Sequence, residues 1–284
     1  MSDIIFLIFY AAFSLLSSSP SGYDSMPLNY FEYNRGISSE VIAKLGVYYP
    51  GYYNYTFHDV IMTDLSLFPD QTIFADAFFE QLFTGDIVNM IKAFTEPYYG
   101  IRFYHFRRNL PNFGWGVEFI HFKVFLPSGT QQTVHITGTD ADGNDVDFWA
   151  PITDYITHVN ISHGVNHLSF SLVYRLMLFQ TEKIPQGIFQ PYVSGSFGIC
   201  IPHPELYLAD IGKVAYSYQL GFPNFGGGLN LGFRIQPFRN FAFYMEYKFT
   251  FTYLLDMHFD NGADGKFTAS FITNHLVWGM SLNF

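Results

Sequence analysis

The last stretch of the chain, residues 266–284, reads KFTASFITNHLVWGMSLNF. Alternate positions counted back from its end are large and apolar, namely Leu276, Trp278, Met280, Leu282 and Phe284. The residues between them are mostly small or polar, namely His275, Val277, Gly279, Ser281 and Asn283. Successive side chains of a strand point to opposite faces, so this segment is predicted to be a strand with one large, apolar face and one small or polar face. A barrel that turns the apolar face to lipid and the small or polar face to its lumen gives this pattern.

The composition of the 284-residue chain supports a membrane barrel. Hydrophobic residues make up 49% of it and charged residues only 13%, which excludes a disordered chain. No run of about 18 apolar residues follows the N-terminus, so membrane-spanning helices are not expected. A membrane protein without such helices has to be a closed barrel, because an open sheet edge cannot face hydrocarbon.

The net charge and the cysteine content exclude further classes of protein. A formal charge of -10 argues against nucleic acid as a partner, since phosphates need a basic surface. Cys200 is the only cysteine, so one chain has neither a disulfide framework nor a thiolate metal cluster. The expected partners are outer-membrane lipids, and the barrel is expected to be a monomer.

The N-terminus is predicted to be a signal peptide, residues 1–21. Residues 4–16 are almost entirely apolar and are followed by a run of Ser, Pro and Gly at 17–22, which suits a cleavage zone. Asp3 stands where a basic residue would be usual. The mature part, 22–284, is then expected to form a single barrel.

Eight strands are predicted from the alternation of apolar residues: 40–49, 98–108, 113–126, 167–180, 189–201, 225–236, 241–253 and 266–284. Long connections alternate with short turns, the long ones being about 50–97, 127–166, 202–224 and 254–266. An even number of strands with short periplasmic turns and long external loops is typical of outer-membrane barrels. The predicted fold is therefore all-β, an eight-stranded antiparallel up-and-down transmembrane β-barrel of porin-like form in the bacterial outer membrane. A soluble lipocalin-like barrel would instead carry its large aromatic residues inside.

Three segments lead to more detailed predictions. Helical spacing over 71–83 and 86–94 predicts a helical external insertion at about 65–94. In the strand 40–49, the alternation is taken to place Val41, Ala43, Leu45, Val47 and Tyr49 outward and Lys44 inward. In the third strand, continued alternation would put His121 and Lys123 in lipid, which is costly. Either a bulge near Ile120 or a position at the membrane surface is therefore expected.

Charged residues recur on the predicted inward faces of the strands, which otherwise carry small or polar residues. The predicted interior set is Lys44, Arg102, Glu118, Arg175, Arg234, Glu246 and Lys248. A small barrel is filled by side chains, and buried charges have to be paired, so these residues are expected to form an ion-pair network that plugs the lumen. A proton path or a solute channel is the alternative.

Ligand-type side chains gather at the predicted outer rim. The candidates are His58, Asp59, His121, Lys123, His203 and Glu205, with Asp256 and His258 beside the last external loop. Imidazole and carboxylate groups from several loops could hold a divalent metal ion or act as acid and base. The metal candidates are His58, His121, His203 and Glu205, and the metal is unidentified. Solvated loop residues are the alternative interpretation, because no pair has a helical metal spacing.

Several short motifs of the chain resemble the outer-membrane lipid A oxidase family. They are Phe57-His58-Asp59-Val60, residues 97–102 (PYYGIR), residues 111–124 (PNFGWGVEFIHFKV), residues 164–168 (GVNHL) with Tyr174-Arg175, and residues 191–193 (PYV) with 202–205 (PHPE). They occur in the family's order and together span most of the mature chain. The segment 65–94 and Pro204 depart from the family's pattern.

The resemblance implies a reaction and a set of site residues. The family is thought to oxidise the proximal glucosamine of lipid A to 2-aminogluconate with dioxygen. By this resemblance the catalytic candidates are His58, Asp59, His121, Lys123, His203 and Glu205, and Lys123 is expected to contact a phosphate or a developing oxyanion. Lipid A, or lipopolysaccharide, is the implied partner.

Other functions stay open at this stage. A lipid A deacylase would use a lipid-facing His and Ser, and His167 and Ser169 have the spacing but are predicted to point inward. Residues 140–147 have the oxygen density of a calcium loop without its closing Glu, so a polar hairpin tip is preferred. A non-catalytic barrel, structural or partner-binding, is the alternative to an enzyme.

Overall fold

The computed structural model of the protein describes residues 26–38, 41–64, 98–126, 131–161, 164–219 and 223–284. Its strands are β1 (Asn29–Ser38), β2 (Val41–Tyr49), β3 (Tyr53–Asp64), β4 (Tyr99–Arg107), β5 (Leu110–His121), β6 (Val124–Phe125), β7 (Thr133–Asp140), β8 (Asp145–Pro151), β9 (Ile156–Ile161), β10 (His167–Arg175), β11 (Phe189–Cys200), β12 (Glu205–Leu208), β13 (Gly212–Ala215), β14 (Phe225–Phe238), β15 (Phe241–His258) and β16 (Lys266–Asn283). A short 3-10 helix, Ile152–Asp154, follows β8. Among these residues, no helix has the length and apolar character needed to cross a membrane.

Eight of the strands form a closed antiparallel barrel, which confirms the predicted fold class. Its order is β1-β4-β5-β10-β11-β14-β15-β16, and β1 pairs with β16 to close it. At one end the start of β1 lies beside Phe284, since Asn29 and Phe284 exchange main-chain hydrogen bonds of 2.9 Å. The short turns β4–β5 and β14–β15 lie at this same end, and the long connections lie at the other, external end. Closure leaves no unpaired barrel edge to face hydrocarbon.

The two faces of the barrel wall differ as the alternation predicts. The outward side chains are exposed and apolar, among them Phe31, Ile101, Phe103, Trp115, Val117, Leu168, Phe170, Leu172, Leu231, Phe243, Leu276, Met280 and Leu282. The inward side chains are buried and largely polar, among them Glu32, Asn34, Ser171, Asn230, Thr250 and Ser281. Exposed hydrocarbon outside and polar groups inside are the arrangement of a transmembrane barrel. The chain is an integral protein of the bacterial outer membrane.

The first strand differs from the prediction. The barrel strand is β1, and residues 41–49 form β2, which lies further toward the external end. Both strands pair with β16. Ser38 of β1 lies opposite His275 of β16, and Ile42 of β2 lies opposite Ile272 of β16. The predicted orientation of β2 is reversed, because Val41, Leu45 and Val47 are buried while Ile42 and Lys44 are exposed.

Beyond the membrane, strands stand where loops were expected. β2 pairs with β3, β3 with β7, and β7 with β8, so the barrel sheet extends into the external layer. A second sheet, β6-β9-β12-β13, joins the end of β3 through β6. The main hydrophobic core lies in this layer and includes Leu45, Phe57, Val60, Phe122, Ile136, Val159, Leu206, Leu254, Phe267 and Phe271. The described parts of the long connections therefore form a folded external cap on the barrel.

Two predictions lie outside the described residues: the signal peptide at 1–21, and the helices at 71–83 and 86–94 within the expected insertion 65–94. For the third predicted strand, either a bulge near Ile120 or a position at the membrane surface was expected. From Phe106–Gly114 to Tyr99–His121 the strands β4 and β5 pair without a register shift, so there is no bulge near Ile120; a shift lies only beside the turn, between Phe106 and Arg107. The strand ends at His121, at the external end of the wall.

Candidate functional site

A network of buried charged side chains fills the barrel interior around Arg102. Its guanidinium contacts Glu32, and its Nη1 lies 2.8 Å from Oε2 of Glu246. The hydroxyl of Tyr192 donates to the same Glu246 oxygen at 2.6 Å. All four side chains are buried, so this pairing offsets the large cost of desolvating the charges. Glu32 was not predicted, because the sequence pattern began the first strand after it.

The remaining predicted interior charges divide into two groups. Lys248 pairs with Glu118, and Nε of Arg234 lies 2.7 Å from Oε1 of Glu32, so both cations belong to the network. Arg175 is also buried inside but takes no part in an ion pair among the described residues. Lys44 is a correction to the prediction, because it lies on the exposed face of β2, outside the barrel.

At the external end of the wall, three side chains stand in one outward-facing row. The strand register pairs Arg35 with Tyr99 and Tyr99 with His121. The rings of Tyr99 and His121 are stacked with centroids 5.0 Å apart. Below them the outward residues are apolar, so the row lies where the hydrocarbon-facing band ends. His121 thus faces the membrane surface, one of the two positions that the sequence allowed.

Asn166 fixes the orientation of the His121 ring. Both amide hydrogens of Asn166 are donated to main-chain oxygens, that of Gly164 at 3.1 Å and that of Ile201 at 2.9 Å. Its Oδ1 therefore has to accept the hydrogen bond from Nδ1 of His121, which is 2.8 Å long. Neutral His121 accordingly carries its proton on Nδ1 and a lone pair on Nε2, the form needed in a general base.

Gly164 and Asn166 form the tight backbone that allows this contact. Gly164 has φ +89°, and a Cβ there would collide with the His121 ring. Asn166 has φ +50°, a conformation that a residue with a Cβ rarely adopts and that is enriched at functional sites. The main-chain N–H of His203 donates to the oxygen of Gly164 at 3.3 Å. His203 and His121 are therefore held against the same turn.

Aromatic rings complete this group of residues. Tyr218 packs edge-on against His203 with centroids 4.5 Å apart, and its phenol is close enough to Tyr99 to interact electrostatically. We name this group of residues the rim cluster: Tyr99, His121, Gly164, Asn166, His203 and Tyr218. His203 is buried, whereas Tyr218 is exposed. The cluster can present an imidazole and phenol groups to a head group at the membrane surface.

The other site residues predicted from this part of the chain lie beside the rim cluster. Lys123 is two residues beyond His121, just after the end of β5, and is partly buried. Glu205 begins β12, two residues beyond His203. Its carboxylate lies 3.9 Å from both His158 Nε2 and Lys213 Nζ. Glu205 therefore interacts with neighbouring strands of the second sheet.

His58 and Asp59 lie on a different surface, the outer face of β2, β3 and β7. A register shift between Ala43 and Leu45 places both residues opposite Lys44, and Asp59 has φ 53°. Such a bulge aims two consecutive side chains at the same face. Nε2 of His58 is 2.8 Å from the hydroxyl of Thr137. A cavity of about 240 Å³ lies here, lined by Lys44, His58, Asp59, Ser270 and the apolar side chains of Ile42, Phe251, Tyr253 and Ile272.

The electrostatics of this bulge favour a neutral imidazole. Partial burial lowers the pKa of His58, and the positive charge of Lys44 lowers it further. Asp59 and Asp147 act in the opposite direction. His135 stacks on His58 with centroids 5.2 Å apart, and its Nε2 lies 2.7 Å from Oδ1 of Asp147. The rim cluster and this bulge are therefore two sites rather than one.

The predicted metal ligands do not converge. Within the residues that the structure describes, no three His, Cys, Asp or Glu side chains are grouped so that they could hold a metal ion. His58 belongs to the bulge, His121 and His203 to the rim cluster, and Glu205 to its pair with Lys213. The divalent metal ion stays a prediction without a ligand set in this part of the chain.

Two alternative sites have ordinary structural roles. His167 and Ser169 point into the barrel, where His167 lies 3.1 Å from the hydroxyl of Thr252, so neither faces lipid. Residues 140–147 form the tip of the β7–β8 hairpin. There Oδ1 of Asp140 accepts the main-chain N–H groups of Asp142 and Asn144 at 3.0 and 2.8 Å.

An apolar groove runs down the lipid-facing wall from Arg35. It has a volume of about 600 Å³ and is lined by Tyr33, Arg35, Phe233, Phe243, Met245, Trp278 and Met280, among others. Arg35 hydrogen-bonds to Tyr33 and is the register partner of Trp278. The groove therefore joins a cationic group near the membrane surface to a hydrocarbon surface below it. Arg35 was not predicted, because residues 29–38 were not recognised as a strand.

Comparison with known proteins gives a likeness to outer-membrane barrels. No family model matches the chain, and no curated protein matches it. Among solved structures, it is similar to Neisserial surface protein A (NspA), with 8% identity over 90% of this chain and 97% of that chain at a TM-score of 0.37. The outer membrane protein OprG from Pseudomonas aeruginosa is 11% identical over 91% of this chain and 97% of that chain, at a TM-score of 0.37. The outer membrane protease OmpT from Escherichia coli is 8% identical over 95% of this chain and 100% of that chain, at a TM-score of 0.40. The resemblance to lipid A oxidases thus stays a prediction.

Proposed function

We propose that the protein binds lipid A in the outer leaflet and acts on its head group at the rim cluster. The observation that carries this proposal is the outward-facing row of Arg35, Tyr99 and His121 at the external end of the wall. A lipid embedded beside the barrel presents its phosphates and sugars at this level, whereas a solute in bulk water does not. An arginine there suits a phosphate, and the stacked ring of Tyr99 suits a sugar face.

The groove below Arg35 supports the same proposal. Its lining is almost entirely apolar, with Phe243, Met245 and Met280 facing the membrane. An acyl chain of a lipid whose phosphate lies on Arg35 would run along this groove. Burial of apolar surface would then add to the charge interaction.

The reaction that the resemblance implies is oxidation of the proximal glucosamine to 2-aminogluconate. The anomeric carbon loses two electrons and two protons to become a lactone carbonyl, and dioxygen takes them up as hydrogen peroxide. Water then opens the lactone to the acid. The reacting lipid A has a free hydroxyl at the anomeric carbon, with no phosphate there. In this scheme Nε2 of His121 accepts the proton of that hydroxyl, because Asn166 holds the other ring nitrogen in its protonated form. No step is assigned to a metal ion, since no ligand set for one is found among the described residues.

Mass spectrometry of lipid A tests the proposal. Cells that express the wild-type protein should yield lipid A with one additional oxygen atom, and His121→Gln should abolish this product. His105→Gln is the matched control, because His105 is also held by an asparagine, Asn29, at 2.9 Å, and also packs on an aromatic ring, that of Trp115. It lies at the opposite end of the barrel and should not change the product.

Two outcomes would contradict the proposal in different ways. Unmodified lipid A from wild-type cells would exclude the oxidation. If purified protein also failed to retain lipid A, with no difference between wild type and Arg35→Gln, lipid A binding would be excluded as well. That result would favour the alternative of a non-catalytic barrel.

A further inference from the structure

The buried charges inside the barrel do not balance. The described residues bury four cationic side chains in the lumen, Arg102, Arg175, Arg234 and Lys248, and three carboxylates, Glu32, Glu118 and Glu246, a difference of 4 − 3 = +1. The buried residues His167 and His275 are counted as neutral. An uncompensated charge in a dry interior is costly, so a surplus of one positive charge calls for a counter-ion.

The surplus charge is located at Arg175. Arg102, Arg234 and Lys248 each lie against a carboxylate, whereas none of the described carboxylates pairs with Arg175. Nε of Arg175 donates to the oxygen of Pro111 at 3.0 Å and Nη1 donates to Oε1 of Gln190 at 3.2 Å. These are neutral acceptors, as is the hydroxyl of Tyr30 beside the guanidinium, and Nη2 has no hydrogen-bond partner among the described residues.

Arg234 supplies further donors to the same place. Its Nε is bound to Glu32, but neither Nη1 nor Nη2 has a hydrogen-bond partner among the residues described. The guanidinium carbons of Arg175 and Arg234 lie 4.8 and 5.6 Å from the ring centroid of Tyr30. Gln190, which accepts from Arg175, is also the register partner of Arg234. Both guanidinium groups are fully buried, and three of their nitrogens have no hydrogen-bond partner among the described residues. Each guanidinium also lies over a second ring, Arg175 at 3.6 Å from the centroid of Phe106 and Arg234 at 4.2 Å from that of Tyr192.

We propose that the barrel interior binds one small inorganic anion of the halide class between Arg175 and Arg234, beside Tyr30. A single monovalent anion neutralises the surplus charge and accepts the N–H groups that the protein leaves without partners. A divalent phosphate would reverse the sign of the imbalance. The site lies inside the barrel and takes no part in the lipid A function proposed for the outer wall.

The anion dependence of thermal stability tests this proposal. Purified wild-type protein in detergent should melt at a higher temperature in sodium chloride or bromide than in sodium gluconate of equal ionic strength, and the effect should saturate. Arg175→Met removes the surplus charge and should abolish the difference between the salts. Lys266→Met, which removes an exposed cation, should retain it.

Crystals grown in bromide give a second readout that needs no variant. Anomalous scattering should show one bromide between the two guanidinium groups. The proposal is overturned by equal melting temperatures in chloride and gluconate together with no anomalous peak in the lumen, or by an Arg175→Met protein that keeps the full difference between the salts. If Arg175→Met does not fold, Arg234→Lys, which keeps the charge but loses the Nη donors, should weaken halide binding in its place.

Discussion

Asn166 and His121 form a hydrogen bond whose direction is fixed by the surroundings of Asn166. Because both amide hydrogens of Asn166 are donated elsewhere, its oxygen can only accept, and His121 is confined to one tautomer. The positive φ of Asn166, +50°, brings the side chain into position. Asn166 thus has an unusual backbone conformation and also fixes the tautomer of the outward-facing His121.

Replacement of Asn166 should therefore separate its two effects. Asn166→Gly keeps the positive φ without strain but removes the acceptor, so lipid A oxidation should fall by about 10²-fold or more, the usual range for loss of acid–base function. Loss of the two bonds to main-chain oxygens should cost about 0.5–1.5 kcal/mol of stability each. Asn166→Ala should lose the same activity and about 1–2 kcal/mol more stability than Asn166→Gly. Rates are measured by mass spectrometry of lipid A, and stability by denaturant unfolding in vesicles. Wild-type activity in Asn166→Gly would show that His121 does not need this hydrogen bond.

The interior network should be sensitive to the loss of one charge. Glu246→Gln has the same shape but leaves Arg102 and Lys248 short of a carboxylate, so the free energy of unfolding should fall by about 3–5 kcal/mol. The control is Asp256→Asn, which breaks partly exposed pairs with His258 at 3.2 Å and Lys266 at 3.5 Å. It should cost at most about 1 kcal/mol. Urea unfolding in lipid vesicles measures both, and similar losses in the two variants would contradict a buried network that depends on paired charge.

The bulge at Asp59 predicts an unusual pattern of tolerance. Because φ is 53°, Asp59→Gly should stay within about 1 kcal/mol of wild type, whereas Asp59→Val should lose about 1–3 kcal/mol. Asn54 is also exposed on β3, and Asn54→Val should have little effect, since β-branched residues suit regular strands. Thermal denaturation of the purified variants provides the comparison. Equal stability of Asp59→Val and Asp59→Gly would argue against the left-handed conformation.

The titration of His58 should respond to the charges that face it. Burial and Lys44 lower its pKa, while Asp59 and Asp147 raise it, and His135 adds a further lowering effect. Lys44→Met should therefore raise the pKa of His58, and Asp59→Asn should lower it, as followed by histidine NMR. Because the pKa of His58 is lowered in the folded state, its imidazole is protonated at a lower pH in the folded protein than in the unfolded chain. Stability should thus decrease as the pH falls below the ordinary histidine range, and less so in Lys44→Met. Unchanged titration in Lys44→Met would place the lysine charge too far away to matter.

The sequence predicts the barrel better than the site because alternation shows that two faces differ without showing what each face contacts. Seven predicted strands correspond to barrel strands, and their apolar side chains face lipid. In residues 41–49 the same alternation directs Val41 and Leu45 into a protein core, so the orientation was reversed and Lys44 was placed inside. β1 was missed because its inward face carries Glu32 and Asn34, which become acceptable only with partners such as Arg102 and Tyr244 from distant strands.

The site shows the same limit. His121 and His203 could be selected from their residue type and position, but the roles of Asn166 and Tyr99 depend on a backbone turn and on strand register. The β4–β5 register was not within reach either, because a shift between Phe106 and Arg107 separates the tight turn at 108–109 from the pairing of Tyr99 with His121. The conformation of Asn166 and its two main-chain acceptors had no signal in the sequence.

The pairing of β16 with both β1 and β2 has a consequence for the order of assembly. β16 spans the lipid-facing wall and the external cap in one uninterrupted piece, and it pairs with β1 in the wall and with β2 in the cap. One seam therefore completes both layers, and it joins residues far apart in the sequence, which makes its formation slow. Neither the wall nor the cap can be sealed until β16 has been synthesised. A chain shortened at its C-terminus should lose them together, and the cap should mature at the moment when the barrel closes in the membrane.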